Sequence, residues 1–263
     1  DQAAEQATDF EIVQHKDGLF SKIAELLADA DIKVLGFEKH YVTFDTYETM
    51  QEAFDVELKP IGRFVESFRE VKDEEELATI RKAVEIAEKG FEHILDYIEE
   101  GMTEIEVANE LDFYMRSLGA SGVSFETIVA SGERSAMPHG VASDKKIEQG
   151  DMITIDFGCY YNGYVSDMTR TIALGDPGEE LKKIHQIVLE ANLKVDEAIR
   201  AGMTGAELDK IARDYIAEHG YGDNFGHSLG HGIGLEIHAG PALHQRNEEP
   251  LKVGNVVTNE PGI

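Results

Sequence analysis

The triplet Gly101-Met102-Thr103 returns as Gly202-Met203-Thr204, and its surroundings return with it. A long amphipathic segment precedes each triplet, opened by Glu75-Glu76-Leu77 in one copy and by Glu179-Glu180-Leu181 in the other. A capping box follows each, Thr103 with Glu106 and Thr204 with Glu207, and a second helix then runs to a glycine, Gly119 or Gly220. Each copy next passes through a loop to a His-Gly pair, His139-Gly140 and His231-Gly232. Finally Ile147–Gly158 (IEQGDMITIDFG) lies over Leu251–Gly262 (LKVGNVVTNEPG), which sets Gly150, Thr154 and Gly158 on Gly254, Thr258 and Gly262. In that register Asp156 falls on Glu260. A period this long implies internal duplication. Two copies predict a pseudo-two-fold domain with a site at their junction, where each delivers a carboxylate.

The stretch Thr154–Arg170 says what the first copy delivers. Asn162-Gly163 stands between two runs rich in aromatic and β-branched residues, the strongest short hairpin signal, because a type I′ turn needs two residues at positive φ. With a two-residue loop, Asp156 pairs with Thr169. Side chains alternate along a strand, so Asp167 shares the face of Thr169 and lies diagonal to Asp156. Two carboxylates on a half-buried face repel each other unless a cation sits between them. A divalent metal, or a pair, meets that need.

Around this centre the chain reads as α/β. Asp73 caps a long helix with Glu76 completing the box, and Leu77, Ile80, Val84, Ala87, Phe91, Ile94 and Ile98 form one apolar stripe. Gly101 ends it as a C′ glycine would. Before it, short strands at Phe10–Val13, Ile32–Phe37 and Val56–Leu58 alternate with helical stretches at Leu19–Ala28 and Thr43–Phe54, the pattern of a parallel sheet. This region is thin for such a unit and reads as part of a domain. The expected organisation is 1–69 for that partial domain and 70–263 for the duplicated one. Both ends read as cut, since Asp1 is not a methionine and Ile263 follows Glu260-Pro261-Gly262 directly.

Composition narrows the partners. The formal net charge is −28, which disfavours nucleic acid and anionic membranes. Apolar residues make up 42%, enough for a sizeable core. No run is long enough to span a bilayer and no signal-peptide pattern opens the chain. The single cysteine, Cys159, excludes an internal disulfide and fits a reducing, cytoplasmic compartment. By hairpin parity it faces away from Asp156, as a small buried residue rather than a nucleophile.

His227, His231 and His238 crowd the stretch GHSLGHGIGLEIH, among glycines that allow close backbone approach. The pattern H-E-x-x-H is absent, with Ser228 where its glutamate would stand. His15, His40, His93, His185, His219 and His244 sit on ordinary helix or loop positions. Two Asp, one Glu and one His make a mostly hard oxygen set with one borderline nitrogen. That suits Mn²⁺, Co²⁺, Fe²⁺ or Zn²⁺ better than Ca²⁺. Bridging carboxylates would allow two metals roughly 3.5–4 Å apart with a water between them.

Asp156 and Asp167 at this spacing, HSLGHGIGLEIH and TNEPG, in this order, resemble the pita-bread metallopeptidases, in particular the Xaa-Pro branch of aminopeptidase P and Xaa-Pro dipeptidase. The likeness covers residues 70–263, and residues 10–69 are similar to the later part of the creatinase-like N-terminal domain that precedes it there. The resemblance implies that Asp156 binds one metal and Asp167 bridges both. It implies that His231 and Glu260 hold the second, with Glu260 also the base for the bridging water. His238 and His139 would contact the substrate carbonyl or stabilise the tetrahedral intermediate, and His227 would line the substrate pocket. The implied reaction is metal-dependent hydrolysis of the bond between an N-terminal residue and a following proline, on a peptide substrate, by a homodimer carrying two divalent ions, Mn²⁺ foremost. The rivals are a non-catalytic peptide-binding relative and methionine aminopeptidase. The sequence departs from the family at Ala239, where an acidic residue often stands, and the family's fifth ligand, a glutamate, is expected on a strand past Ile263.

Overall fold

A computed structural model describes residues 2–263. The chain divides into two compact units, Asp1–Val65 and Glu66–Ile263.

The first unit contains α1 (Gln2–Gln6), α2 (Leu19–Asp29), β1 (Val34–Glu38), α3 (Phe44–Ala53) and β2 (Glu57–Ile61). β1 and β2 run parallel, Val34 opposite Glu57 through Glu38 opposite Ile61, as strand–helix alternation requires. Thr43 caps α3 by accepting the N–H of Thr46 at 3.2 Å. Phe10–Val13 is not a strand; among the described residues no strand pairs with it, and Phe10 is 77% exposed. An apolar run becomes a strand only where a partner takes its backbone hydrogen bonds. α4 (Phe64–Arg69) spans the division between the units.

The second unit begins with α5 (Glu74–Tyr97) and α6 (Glu104–Ser117), both opened by the expected capping boxes. The buried face of α5 is Ile80, Ala83, Ile86, Ala87, Gly90 and Ile94, rotated from the apolar stripe toward its small residues. The reason is α6: a Cβ on Gly90 would lie 2.9 Å from Leu111 Cδ1, so helices packed this closely need small residues between them. Gly101 does not cap α5. The helix ends at Ile98, extended at φ −63° and ψ 125°, and Gly101 forms the following turn at φ 89°. There its N–H donates to the Ile147 carbonyl at 2.8 Å.

Then follow β3 (Gly122–Val123), β4 (Ile128–Ser131), β5 (Met152–Phe157), β6 (Cys159–Tyr161), β7 (Tyr164–Val165) and β8 (Met168–Ala173). They build two three-stranded sheets, β4-β5-β8 and β3-β6-β7. Asn162 (φ 47°) and Gly163 (φ 85°) form the two-residue turn, with Tyr161 opposite Tyr164. α7 (Glu179–Ala198), α8 (Gly205–Glu218), β9 (Gly230–Gly232) and β10 (Ala239–Leu243) form the second copy, with β9 antiparallel to β10.

Each copy has its own core. Ile86, Ile94, Leu111, Ile153, Ile155 and Phe157 anchor the first. Ile187, Leu208, Ile216, Leu229 and Leu243 anchor the second. Cys159 is buried in the first core, as a small apolar residue would be.

Candidate metal centre

β5 sorts its residues by alternation. Ile153, Ile155 and Phe157 point into the core with no exposure, which leaves Thr154 and Asp156 on the opposite face. Asp156 stands opposite Thr169, whose hydroxyl donates to Asp156 Oδ1 at 2.8 Å. Asp167 lies in the link between β7 and β8, with its side chain 10% exposed. Burial, then repulsion from Asp156 and Glu260, pushes the Asp167 carboxyl up to about 8. Burial also pushes Asp156 up, to about 6, against the hydrogen bond from Thr169.

The second copy supplies the other groups from two adjacent segments. Glu260 N–H donates to the Leu229 carbonyl at 2.9 Å, Thr258 N–H to His231 at 2.8 Å, and Ile233 N–H to Val256 at 3.1 Å. In the first copy Ile128 pairs with Asp156 and Ala130 with Thr154. The shift that carries Gly101 to Gly202 also carries Ile128 to Leu229 and Ala130 to His231. The registers therefore coincide, and Asp156 and Glu260 are equivalent. The two His-Gly pairs are not. His139 precedes Val141, which bridges back to Ile128, much as His238 precedes β10, which pairs with β9. The structural counterpart of His231 is Ala130.

His231 Nδ1 faces the Gly232 carbonyl at 3.1 Å, which turns Nε2 toward the carboxylates. Nε2 lies 3.5 Å from Asp167 Oδ2 and 3.4 Å from Glu260 Oε1. One donor atom each from Asp167, His231 and Glu260 lies within 4.8 Å of the others. Asp156 stands beside that trio, close enough to feel the charges of Glu260 and His231. The His238 ring is 4.4 Å from that of His231, tilted by 53°. Burial, then the charge of His231, holds His238 below the usual imidazole value. His139 is exposed and lies near enough to act on both Asp156 and His238. His227 Nδ1 donates to the Ser228 carbonyl at 2.8 Å, and its Nε2 closes on Gly262, where a Cβ would meet it at 2.8 Å.

Around these groups is a set of supports that motif reading passes over. Thr258 donates its hydroxyl to Glu260 Oε1 at 2.6 Å and accepts the His231 N–H at 3.0 Å. Asn192 and Asn259 exchange amide-to-carbonyl hydrogen bonds at 2.7 and 3.0 Å, which fixes the residue before Glu260. Asp209 and Arg213 form a buried fork on α8, and Arg213 also holds the Phe225 and His227 carbonyls at 2.7 and 2.8 Å. Of these, only the fork has a visible signal, an acid four residues ahead of an arginine on one helix face.

Residues 78–263 match the profile of metallopeptidase family M24, and residues 1–71 that of the creatinase/prolidase N-terminal domain. The chain belongs to metallopeptidase family M24. A curated Xaa-Pro dipeptidase of Pyrococcus furiosus is 48% identical over 245 residues, 93% of this chain and 70% of that one. The solved structure of an Xaa-Pro dipeptidase from Bacillus anthracis superposes with TM-score 0.96 at 52% identity, over 99% of this chain and 73% of that one. An X-Pro aminopeptidase from Thermotoga maritima superposes with TM-score 0.93 at 45% identity, over 99% and 75%. The fold is the mixed α/β pita-bread architecture with its internal duplication, and the M24 chain is a metal-dependent peptidase.

The residues present fit a metal. Three carboxylates crowd one half-buried place, where burial and the charge of neighbouring carboxylates raise the values of Asp156 and Asp167. A divalent cation among them would offset both. The donors are oxygens and one imidazole nitrogen, without a thiolate. Among the described residues no helix is long and apolar enough to cross a membrane.

Proposed function

We propose that this M24 chain hydrolyses the peptide bond between an N-terminal residue and a following proline. The observation that carries the proposal is the convergence of Asp167, His231 and Glu260 donor atoms within 4.8 Å, with Asp156 alongside. Similarity to Xaa-Pro dipeptidases and to an X-Pro aminopeptidase supports the choice of substrate.

In this reading Asp156, Asp167, His231 and Glu260 would hold two divalent ions, and Mn²⁺ suits the donor set. When bound, the ions polarise the scissile carbonyl and supply a water of lowered pKa as nucleophile. Glu260 would serve as the base for the attacking water, and the Thr258 hydroxyl orients its carboxylate by donating to Oε1. His238, held below the usual imidazole value, is neutral at pH 7 and donates one N–H to the carbonyl oxygen as charge develops there. His139 acts from the other copy on the same oxygen. His227, against Gly262, lines the substrate pocket. The functional organisation is a creatinase-like domain at 1–69 and a catalytic domain at 70–263, working as a cytoplasmic homodimer.

The test is Mn²⁺-loaded enzyme assayed on Ala-Pro, Ala-Pro-Gly and Met-Ala, beside metal analysis. Hydrolysis of the proline substrates with two ions bound is the expected result, and the ratio of the first two distinguishes dipeptidase from aminopeptidase. Preference for Met-Ala would assign the chain to methionine aminopeptidase chemistry. Absence of stoichiometric metal would make it a binding relative.

A further inference from the structure

The loop that carries His139 is tied at both ends to one buried carboxylate. Glu104, the first residue of α6, has no solvent exposure. Its Oε1 accepts the N–H and the hydroxyl of Ser131, at 2.7 and 2.9 Å, where the loop leaves β4. Its Oε2 accepts the N–H and the hydroxyl of Ser143, at 3.0 and 2.6 Å, where the loop returns. Between those ends Arg134 Nε donates to Oε2 at 3.0 Å, and Arg134 Nη2 holds the Val141 carbonyl at 2.6 Å. Val141 is two residues from His139. Lys145 reinforces the start of the loop by donating to the Ser131 hydroxyl at 2.9 Å and to Asp151 at 2.7 Å.

The fold by itself does not ask for this carboxylate. The shift that relates the copies puts Gly205 in the place of Glu104. A Cβ on Gly205 would lie 2.3 Å from the Ala242 carbonyl, so the second copy brings backbone into that space. There an Asn247 amide holds the same carbonyl at 2.6 Å. Both helices keep their capping boxes and both turns close, so the duplicated framework stands without an acid at this position. The carboxylate belongs to the copy whose loop bears a histidine near Asp156.

We propose that Glu104 is a positioning residue for His139: its ionised carboxylate fixes Ser131, Arg134 and Ser143, and so sets where the imidazole meets the substrate. This rests on the reading of His139 as a substrate contact. Glu104 touches neither substrate nor metal ligand, so its loss changes turnover and leaves the ions in place. A glutamine there turns one acceptor oxygen into a donor facing the Ser N–H groups, and it leaves Arg134 without its counter-charge.

The experiment is a double-mutant cycle in Mn²⁺-loaded enzyme on Ala-Pro, with Glu104→Gln, His139→Ala and the pair, each also titrated with Mn²⁺ by calorimetry. Glu104→Gln is expected to lower kcat by about tenfold to a hundredfold, the scale of a misplaced contact. The stoichiometry and Kd for Mn²⁺ stay those of the wild type. In the His139→Ala background the same change costs nothing further, because the residue it positions is gone. Arg134→Lys, which keeps the charge and loses the fork, replaces Glu104→Gln in the same cycle if the latter does not fold. Independent, multiplying losses in the double variant would overturn the proposal while leaving the peptidase reading intact. Wild-type kcat in the single variant would do the same, as would loss of Mn²⁺ in proportion to activity. A His139→Ala enzyme with unchanged turnover would overturn both the positioning role and the contact it serves.

Discussion

The two copies in the second unit begin alike and finish differently. Gly101 N–H bonds the Ile147 carbonyl at 2.8 Å, and Gly202 N–H bonds Leu251 at 2.8 Å. The return bonds, Ile147 to Met102 and Leu251 to Met203, measure 2.8 and 2.7 Å. Thr103 bridges Lys146, and Thr204 bridges Pro250. Beyond this the copies part. The first places two carboxylates on one hairpin, while the second places an imidazole and a carboxylate on paired segments. The first clasps its loop with Glu104, and the second clasps the Phe225–Leu229 segment with Asp209 and Arg213. A framework held by backbone bonds and caps repeats readily because most side chains satisfy it. The chemistry rests on side chains that the framework leaves free to diverge.

The largest effect tests the division of labour at the centre. Asp167→Asn should abolish turnover and lower bound metal together, because a neutral amide cannot offset two cations. His238→Ala should cut turnover and leave metal content unchanged, since it is proposed to act on the substrate oxygen. Metal lost in step with activity in the His238 variant would show that the second copy supplies a further ligand.

Next come the two clasps. Glu104 is wholly buried and paired with Arg134, and Asp209 is wholly buried and paired with Arg213. Removing one partner of such a pair costs about 3–5 kcal/mol. Glu104→Gln and Asp209→Asn should therefore shift urea midpoints by similar amounts, and a near-zero shift in either breaks the analogy. Glu104 adds a pH signature. Burial would raise its pKa, but the hydrogen bonds from Ser143 and Ser131 outweigh burial and hold it below the ordinary 4.5. A carboxylate lowered on folding stabilises fully above its unfolded value and loses that contribution as pH falls through the folded one. Wild-type stability should decline below about pH 4.5 more steeply than that of Glu104→Gln, as followed by denaturation at stepped pH.

A smaller pair concerns the hydroxyls behind the ligands, Thr169 on Asp156 at 2.8 Å and Thr258 on Glu260 at 2.6 Å. Each orients a carboxylate from one copy. Thr169→Val and Thr258→Val should each weaken Mn²⁺ binding by about tenfold to a hundredfold, read by calorimetry. An effect confined to one variant would mean that the centre leans on one copy.

What could be read in the chain was whatever local rules decide. Asn162-Gly163 implied the turn, period two then paired Asp156 with Thr169, and the matched motifs exposed the duplication. What escaped depends on partners far along the chain. Glu104 accepts from residues 27 and 39 positions away, and no local pattern marks it. Phe10–Val13 has the composition of a strand and, among the described residues, no strand to pair with. Matching His139-Gly140 to His231-Gly232 followed the letters, whereas the ladder register sets His231 against Ala130. Gly101 looked like a helix cap because the extended turn at Ile98 has no residue that signals it.

The smallest expected difference falls where the copies agree best. Thr103 accepts the Glu106 N–H at 3.2 Å, and Glu106 returns to the Thr103 N–H at 2.7 Å. Thr204 accepts the Glu207 N–H at 3.1 Å, and Glu207 returns to Thr204 at 2.8 Å. The boxes match in residue type, geometry and exposure, and each satisfies two N–H groups that a helix start leaves unpaired. Loss of a threonine cap costs about 1 kcal/mol. Thr103→Ala and Thr204→Ala should thus destabilise equally by urea denaturation, and the double variant should lose the sum, since the caps share no partner. Thr103 differs in one respect, because it sits directly before Glu104. If the clasp on the His139 loop depends on how α6 begins, Thr103→Ala will lower kcat as well as stability, and Thr204→Ala will lower stability alone. Equal kcat in both would confine the role of Glu104 to its own hydrogen bonds and leave the caps as repeated scaffold.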